Sequence, residues 1–246
     1  MTAPVFVVAH FDAGGGGRYV LDGPEGRHAV SVKRLRAGED VVLTDGAGRW
    51  AECVVVDTEG KDRLIVHMDS VAEEPVAQPR VTIVQALPKG DRGELAVETM
   101  TEVGVDAIVP WAASRCITQW KGDRGAKALA KWRATAREAG KQSRRVRFPE
   151  VTDAATSKQV AALLAKAGFA AVLHESGEEP LAAAELPTEG EIVLVVGPEG
   201  GVAPEELSLF AEAGAPALRL GPSVLRTSTA GTAAAALLLG RTGRWS

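Results

Sequence analysis

Two short segments in the C-terminal part of the chain combine glycines with polar side chains in a way that suits a ligand. The first, residues 197–201, reads Gly-Pro-Glu-Gly-Gly and directly follows the apolar run 192–196. Glycines let a backbone approach a bound molecule closely. The segment lacks the Gly-Lys-Ser/Thr of a phosphate loop, and the acidic residues Glu205 and Glu206 that follow it would repel a phosphate. It therefore favours a neutral or cationic ligand, although a purely structural strand-to-helix turn remains an alternative.

The second segment, residues 218–232, contains a Gly-Pro turn, one arginine and a cluster of hydroxyls. Thr227, Ser228 and Thr229 precede a run of small residues, and hydroxyls at such a position can cap a helix. Capping accounts for one or two of these side chains, not for the whole segment. Arg226 is either a structural salt-bridge partner or a cation placed in the same site as the first segment.

Positive charge is concentrated between residues 115 and 147. This stretch holds eleven lysines and arginines against Asp123 and Glu138, so it carries +9, whereas the whole chain carries −4 and its remainder therefore −13. Local positive charge on an acidic chain is typical of a phosphate-binding surface. A solvated helix face is the alternative, but such faces usually mix both signs at i,i+4 spacing.

Strands and helices alternate after residue 80, which predicts a parallel sheet covered by helices on both faces. The predicted strands are 81–87, 107–110, 170–174, 192–196 and 218–220, and the predicted helices are 93–103, 126–143, 157–167, 204–213 and 229–239. Ligands of such sheets bind at the carboxyl ends of the strands. The loops after His174, Val196 and Leu220 are therefore the ones expected to carry the chemistry.

The N-terminal part is rich in β-branched runs separated by turn residues, which predicts a small β-barrel. Its predicted strands are 5–9, 40–44, 51–57 and 63–68, its predicted helix is 26–35, and the glycine run 14–17 is expected to be a hairpin loop. Residues 71–80 contain two prolines and little periodicity. We expect domains at 1–72 and 81–246, joined by a linker at 73–80.

The remaining composition points to the cytoplasm. The N-terminus has no basic leader, and the longest apolar stretch, 233–239, is far shorter than the ~20 residues that span a bilayer. Cys53 and Cys116 are far apart in sequence and show no disulfide or zinc pattern. We interpret both as buried small hydrophobic residues in a reducing compartment and expect no metal.

Taken together, the two segments closely resemble the RsmE family of bacterial 16S ribosomal RNA methyltransferases, which act on uridine N3 and belong to the SPOUT superfamily. The resemblance rests on Gly-Pro-Glu-Gly-Gly at 197–201 followed by Leu-Gly-Pro-Ser-Val-Leu-Arg-Thr at 220–227. Residues 25–36, 102–105 and 138–145 also resemble segments of this family, so the match extends along most of the chain.

The resemblance implies an α/β protein with a C-terminal SPOUT-type knotted parallel-sheet domain and a small N-terminal PUA-like β-barrel domain. It also implies a homodimer that binds S-adenosylmethionine in the trefoil knot and methylates 16S rRNA on the 30S subunit. The positions that match the cofactor site are Leu173, His174, Glu175, Val196, Gly197, Pro198, Glu199, Gly200, Gly201, Leu220, Gly221, Ser223, Val224, Leu225, Thr229 and Ala230.

The catalytic residues are expected to be Arg226, which would stabilise negative charge on uracil O2 or O4, and Ser228. Many family members carry an acidic residue at the position of Ser228, and His174 is a further candidate for proton handling. The residues expected to bind RNA are Arg27, Lys33, Arg34, Arg36, Lys89, Arg92, Arg133, Arg137, Lys141, Arg144 and Arg145.

Two other functions fit parts of the pattern. A non-catalytic ribosome-assembly factor would use only the barrel and the basic helix to bind RNA. A different α/β nucleotide enzyme is disfavoured because the chain lacks both a phosphate-loop lysine and a GxGxxG motif.

Overall fold

The computed structural model describes residues 3–11 and 16–245 of the 246 residues. Part of the glycine run predicted to form a hairpin loop, at positions 14 and 15, lies outside the described residues. The chain packs as two compact units. The first comprises Met1–Val76 together with Gly140–Phe148, and the second comprises Ala77–Ala139 together with Pro149–Ser246.

The first unit is built on one six-stranded sheet. Its elements are β1 (Val5–Val7), β2 (Gly17–Leu21), α1 (Gly23–Arg27) with a π-helical turn (His28–Val32), β3 (Asp40–Thr44), β4 (Arg49–Glu59), β5 (Arg63–Met68) and β6 (Ala72–Glu73). The strand order is β1-β3-β4-β5-β2, and β6 pairs with β4. The predicted strands 40–44 and 63–68 are confirmed, whereas β2 and β6 were not predicted. Phe6, Leu43 and Val66 are among the side chains that fill the core of this unit.

The second unit alternates strands and helices. Its elements are β7 (Arg80–Ala86), α2 (Arg92–Val103), β8 (Ala107–Trp111), α3 (Gly122–Gln142), β9 (Glu150–Val151), α4 (Ser157–Leu164), β10 (Phe169–Leu173), a 3₁₀ turn (Leu181–Ala183), β11 (Glu191–Val196), α5 (Pro204–Glu212), β12 (Ala217–Leu218) and α6 (Thr227–Arg241). The sheet order is β12-β10-β11-β7-β8-β9, and every pair is parallel. The predicted parallel α/β sheet is thus confirmed.

The central strands of this sheet are apolar on both faces because helices cover both. In β11, Ile192, Val193, Leu194 and Val195 are all fully buried, as expected for a strand inside a two-faced sheet. A local signal ends α2 at Val103, where the sequence predicts. Gly104 adopts φ 108° directly after it, a left-handed conformation that favours glycine. By contrast, α4 ends at Leu164, three residues before its predicted end.

The segment Gly140–Phe148 belongs to the first unit because its contacts are made there. The Nζ atom of Lys141 lies 3.0 Å from a carboxylate oxygen of Glu25, and both side chains are nearly buried. Thr44 Oγ1 donates a hydrogen bond to the carbonyl of Val146 at 2.7 Å. The amide of Phe148 donates to the carbonyl of Gly46 at 2.8 Å. The last residues of α3 and those after it therefore complete the N-terminal unit.

Candidate functional site

Loops at the carboxyl ends of five parallel strands surround one cleft of about 780 Å³ in the second unit. They follow β7, β8, β10, β11 and β12, the edge at which ligands of such sheets bind. The volume lies within the roughly 300–1,000 Å³ usual for small-molecule sites. All predicted cofactor residues except Thr229 line the cleft. The lining also includes residues that the sequence did not indicate: Arg115, Val202, Pro204, Leu207, Arg219, Pro222 and Thr227.

A buried hydrogen-bond chain ties the two glycine-containing segments together. Thr227, the first residue of α6, donates from Oγ1 to the carbonyl of Gly197 at 2.8 Å. Its Oγ1 also accepts a bond from Nε2 of Gln85 at 3.0 Å. Gln85 is fully buried near the end of β7. A glutamine in a mostly apolar strand is the sequence signal that could have revealed its role in linking the two segments. These bonds fix the loop after β12 against the loop after β11.

The loop after β11 needs its glycines for steric reasons. A Cβ atom on Gly197 would lie 2.8 Å from Cγ2 of Val202, and one on Gly200 would lie 3.3 Å from Cβ of Arg115. Gly201 adopts φ 73°, in the left-handed region that disfavours other residues. The loop is therefore a close-packed turn whose backbone forms one wall of the cleft.

Glu199 connects this loop to the one after β7. Its Oε1 accepts a hydrogen bond from the amide of Lys89 at 3.1 Å and lies 3.6 Å from Nη1 of Arg92. The carboxylate of Glu199 thus faces a cation of the protein itself. As a result, the charge of Arg92 is largely compensated within the cleft.

Arg226 lies at the N-cap position of α6 and lines the cleft with an exposed side chain. Among the residues that the structure describes, no side chain forms a hydrogen bond or ion pair with its guanidinium. The alternative in which Arg226 is a structural salt-bridge partner is therefore not supported. Its charge remains available to a molecule bound in the cleft.

Two predicted site residues lie elsewhere. Ser228 is buried and is not among the residues that line the cleft, so its catalytic role stays a prediction that this geometry does not favour. Thr229 is exposed outside the cleft, and its Oγ1 donates to the carbonyl of Arg226 at 3.2 Å. The reason is that α6 begins at Thr227, two residues before the predicted start, which turns Ser228 inward and places Thr229 in the first turn of the helix.

His174 lines the cleft, but its ring is engaged in a local turn. Its Nδ1 lies 2.7 Å from Oγ of Ser176 and accepts a bond from the amide of Ser176 at 3.2 Å. Nδ1 is therefore engaged with Ser176, and only Nε2 remains available to a molecule in the cleft.

The residues predicted to bind RNA fall into different environments. Arg27, Lys33, Arg34 and Arg36 are exposed on the first unit, and Lys89 is exposed on the second. Arg133 bonds the carbonyl of Val151 and the carboxylate of Asp153, both at 3.0 Å, and Arg144 bonds the carbonyl of Ala3. Arg137 and Arg145 also have bonding partners.

The structure does not favour Lys141 as an RNA-binding residue. Its side chain is buried and ion-paired to Glu25, so it does not reach an RNA phosphate. Conversely, three exposed cations were not among the predicted RNA-binding residues. Lys121, Arg124 and Lys127 follow one another at three-residue spacing around the start of α3, and the described residues provide none of them with an ion pair.

Both cysteines are free and buried, as the sequence predicted. Burial raises the pKa of the Cys53 thiol to about 11 and also raises the pKa of Cys116. They are inert core residues in this structure. Within residues 3–11 and 16–245, no helix is long and apolar enough to span a membrane, and no three His, Cys, Asp or Glu side chains group to hold a metal.

Comparison of the chain with known proteins shows which class of protein has this fold and cleft. A family model described as an RNA methyltransferase domain matches residues 75–239, and one described as an RNA methyltransferase PUA domain matches residues 21–68. The parallel-sheet unit with its cleft is thus the domain of an RNA methyltransferase, preceded by a PUA-type domain.

The relatives narrow this class. The chain is 45% identical over 230 residues to the ribosomal RNA small subunit methyltransferase E of Mycobacterium bovis, covering 92% of this chain and 87% of that protein. The chain therefore belongs to the ribosomal RNA small subunit methyltransferase E family.

Two solved structures share the whole fold. The ribosomal RNA small subunit methyltransferase E of Neisseria gonorrhoeae, bound to S-adenosyl methionine, is 29% identical with a TM-score of 0.85. A methyltransferase of Legionella pneumophila, solved with the bound cofactor SAM, is 27% identical with a TM-score of 0.85. Each comparison covers 98% of both chains. The expected combination of a C-terminal parallel-sheet domain with a small N-terminal PUA-type domain is confirmed.

Proposed function

We propose that this chain transfers the methyl group of S-adenosylmethionine to N3 of a uridine in 16S ribosomal RNA. The observation that carries the proposal is the single cleft formed by the loops after β10, β11 and β12, which gathers fifteen of the sixteen predicted cofactor residues in a chain 45% identical to a small-subunit rRNA methyltransferase. The homodimer, the trefoil knot, the cytoplasmic location and the assembled 30S subunit as substrate belong to the same proposal.

The residues present fit the cofactor. The cleft is large enough, and three glycines in its wall, Gly197, Gly200 and Gly201, let a ligand approach the backbone closely. Leu173, Leu220 and Leu225 add apolar lining beside it. When bound, S-adenosylmethionine supplies an electrophilic methyl group on a sulfonium. The loops after β10, β11 and β12 hold and orient it, and positioning of this kind contributes much of the catalysis of a displacement reaction.

Arg226 is the residue best placed to act on the substrate. Uracil N3 carries a proton that would have to pass to water, so the ring becomes anionic, or nearly so, before N3 can react. The unpaired guanidinium of Arg226 stabilises the charge that develops on O2 or O4. The structure does not favour Ser228 or His174 as the base that removes the N3 proton. Ser228 is buried, and Nδ1 of His174 accepts a hydrogen bond from the amide of Ser176.

The proposal is tested by transfer of a labelled methyl group from S-adenosylmethionine to 30S particles and to free 16S rRNA, followed by mass-spectrometric mapping. We expect about one methyl group per RNA, at N3 of a single uridine. Methylation on a ribose or on another base would contradict the assignment of the nucleotide. An absence of transfer to both substrates, with RNA binding intact, would support the non-catalytic assembly factor.

A further inference from the structure

We propose that Arg115 binds a backbone phosphate of the RNA at the mouth of the cleft, and that Glu206 is the positioning residue that holds it there. The inference rests on the proposed function and extends it to residues of the loop after β8. The resemblance assigns no role to either residue. The sequence pattern places Arg115 only at the start of the basic segment 115–147 and Glu206 only among the acidic residues after residue 201.

Arg115 lies directly against the cofactor wall of the cleft. Its Nη1 donates a long hydrogen bond of 3.3 Å to the carbonyl of Gly200, and its backbone is so close to Gly200 that only glycine fits there without a shift. Within the described part of the chain, the guanidinium has no carboxylate partner. Most of its donors therefore remain open to a ligand, and the planar array of a guanidinium matches phosphate oxygens well.

The loop that carries Arg115 is anchored by a buried carboxylate. Glu206 is 6% exposed, and its Oε1 accepts bonds from the amide of Ser114 at 2.9 Å and from Oγ of Ser157 at 2.7 Å. Its Oε2 accepts from Oγ of Ser114 at 3.1 Å and from the amide of Ala203 at 3.3 Å. One side chain thus joins the Arg115 loop, the start of α4 and the end of the glycine loop.

This arrangement is more than a helix cap. A cap at the start of α5 would need only the bond to Ala203, whereas two of the four bonds go to Ser114, the residue before Arg115. Burying a carboxylate is costly unless it is fully hydrogen-bonded. Since Glu206 couples the Arg115 loop to the cofactor loop, it fixes the distance between the two.

The charges of the cleft favour RNA as the ligand of Arg115. Four arginines line it, of which Arg92 faces the carboxylate of Glu199. Among the described residues, Arg115, Arg219 and Arg226 have no carboxylate partner, and Arg219 is held by a hydrogen bond to the carbonyl of Glu178. S-adenosylmethionine brings one carboxylate but also an ammonium and a sulfonium, so it does not need several guanidiniums without a carboxylate partner. A phosphodiester next to a uracil that becomes anionic supplies two negative charges.

The test compares Arg115→Ala, Arg115→Lys and Glu206→Gln with the wild type in three assays: calorimetric S-adenosylmethionine binding, total methyl incorporation into 16S rRNA and RNA binding against salt. For Arg115→Ala we expect cofactor affinity within about twofold, a KM for RNA at least tenfold higher and a salt slope lower by about one. Lysine should restore part of the KM because it keeps the charge. Lys166→Ala, which removes an exposed cation outside the cleft, is the matched control.

Glu206 is tested by a double-mutant cycle, because a merely structural role would act independently of Arg115. Glu206→Gln should raise the KM for RNA in the wild-type background and have little further effect on KM in Arg115→Ala. Ser157→Ala removes one bond to Glu206 that does not reach the Arg115 loop, so it should lower the melting temperature with little change in KM. Additive effects of Glu206→Gln and Arg115→Ala would overturn the positioning role.

A tenfold loss of cofactor affinity in Arg115→Ala would overturn the assignment to RNA and make Arg115 a ligand of the cofactor carboxylate. Unchanged KM and salt slope would overturn it as well. Because the assays record total incorporation and RNA affinity, they do not depend on which nucleotide is methylated. A failure of the proposed function, seen as no methyl transfer by the wild type, is therefore distinguishable from a failure of this inference.

Discussion

The arginines of the cleft and the cations of residues 131–147 have the same chemistry but different surroundings. In the cleft, the guanidiniums of Arg115 and Arg226 face open space without a carboxylate partner. In the second region, Lys131 is paired with Glu94, Arg133 with Asp153 and Lys141 with Glu25. The charge density of the sequence is highest where the charges are mostly used to hold the fold together.

This difference shows that net charge along a sequence does not measure the charge that is available to a ligand. The segment from 115 to 147 carries +9, but much of its second half is compensated by acids that are distant in sequence. The free cations lie at its beginning, at Lys121, Arg124 and Lys127, and in the cleft. Substitutions in the cleft should therefore lower activity with little effect on stability. Substitutions in residues 131–147 should lower stability more than activity.

The largest functional effect is expected for Arg226→Ala. Removing a group that stabilises developing negative charge typically lowers the rate by roughly 10²–10³. We expect methyl transfer to fall by at least this factor while S-adenosylmethionine binding and the melting temperature stay unchanged, measured by methyl incorporation, calorimetry and thermal unfolding. Loss of cofactor binding in a folded variant would assign Arg226 to the cofactor instead.

The largest effect on stability is expected for Lys141→Ala. It removes the Lys141–Glu25 ion pair at a nearly buried position, and breaking a buried pair typically costs about 3–5 kcal/mol. Urea unfolding should show this loss. Lys131→Ala removes an exposed partner of Glu94 and should cost less than about 1 kcal/mol. Equal effects of the two substitutions would refute the structural role assigned to Lys141.

The sequence revealed the elements and loops whose signals are local. Apolar runs such as 192–196, together with the glycines that follow the helices, define the alternating unit and the carboxyl-edge loops. Long-range contacts were invisible to this reasoning, so the union of residues 140–148 with the first unit and the bonds of Glu206 were missed. The burial of Ser228 was missed because it depends on where α6 begins, and helix ends are the least predictable feature of a sequence.

The salt dependence of RNA affinity should distinguish the two halves of the basic segment 115–147. Replacing Lys121, Arg124 and Lys127 together by alanine should lower the slope of log affinity against log salt by about 2–3, if each cation contacts one phosphate. Replacing Lys131 and Arg133 should lower it by less than about one, since both already face carboxylates. RNA binding measured between low and moderate salt checks this. The reverse order of the two slopes would show that the second half is the docking surface.

The smallest effect concerns the buried thiols. The pKa of Cys53 rises from 9.0 to about 11 because of burial, so at pH 9 only ~1% of the native thiol is ionised, against about half in the unfolded chain. Stability should thus be nearly independent of Cys53 below about pH 8 and should decline as the pH rises from 9 to 11, because the unfolded thiol then ionises in preference to the native one. Alkylation of Cys53 by iodoacetamide at pH 9 should be at least tenfold slower in the native protein than in urea. Equal rates would contradict its burial.

The account depends above all on the cleft being a methyl-donor site, which a calorimetric titration with S-adenosylmethionine tests directly. We expect saturable binding of one molecule per chain, weakened about tenfold in Gly201→Ala, because a left-handed conformation costs roughly 1–2 kcal/mol for a residue with a side chain. Gly214→Ala imposes the same strain at φ 85°, outside the cleft, and should leave the affinity unchanged. A folded wild-type protein that binds RNA but shows no S-adenosylmethionine binding would contradict the account.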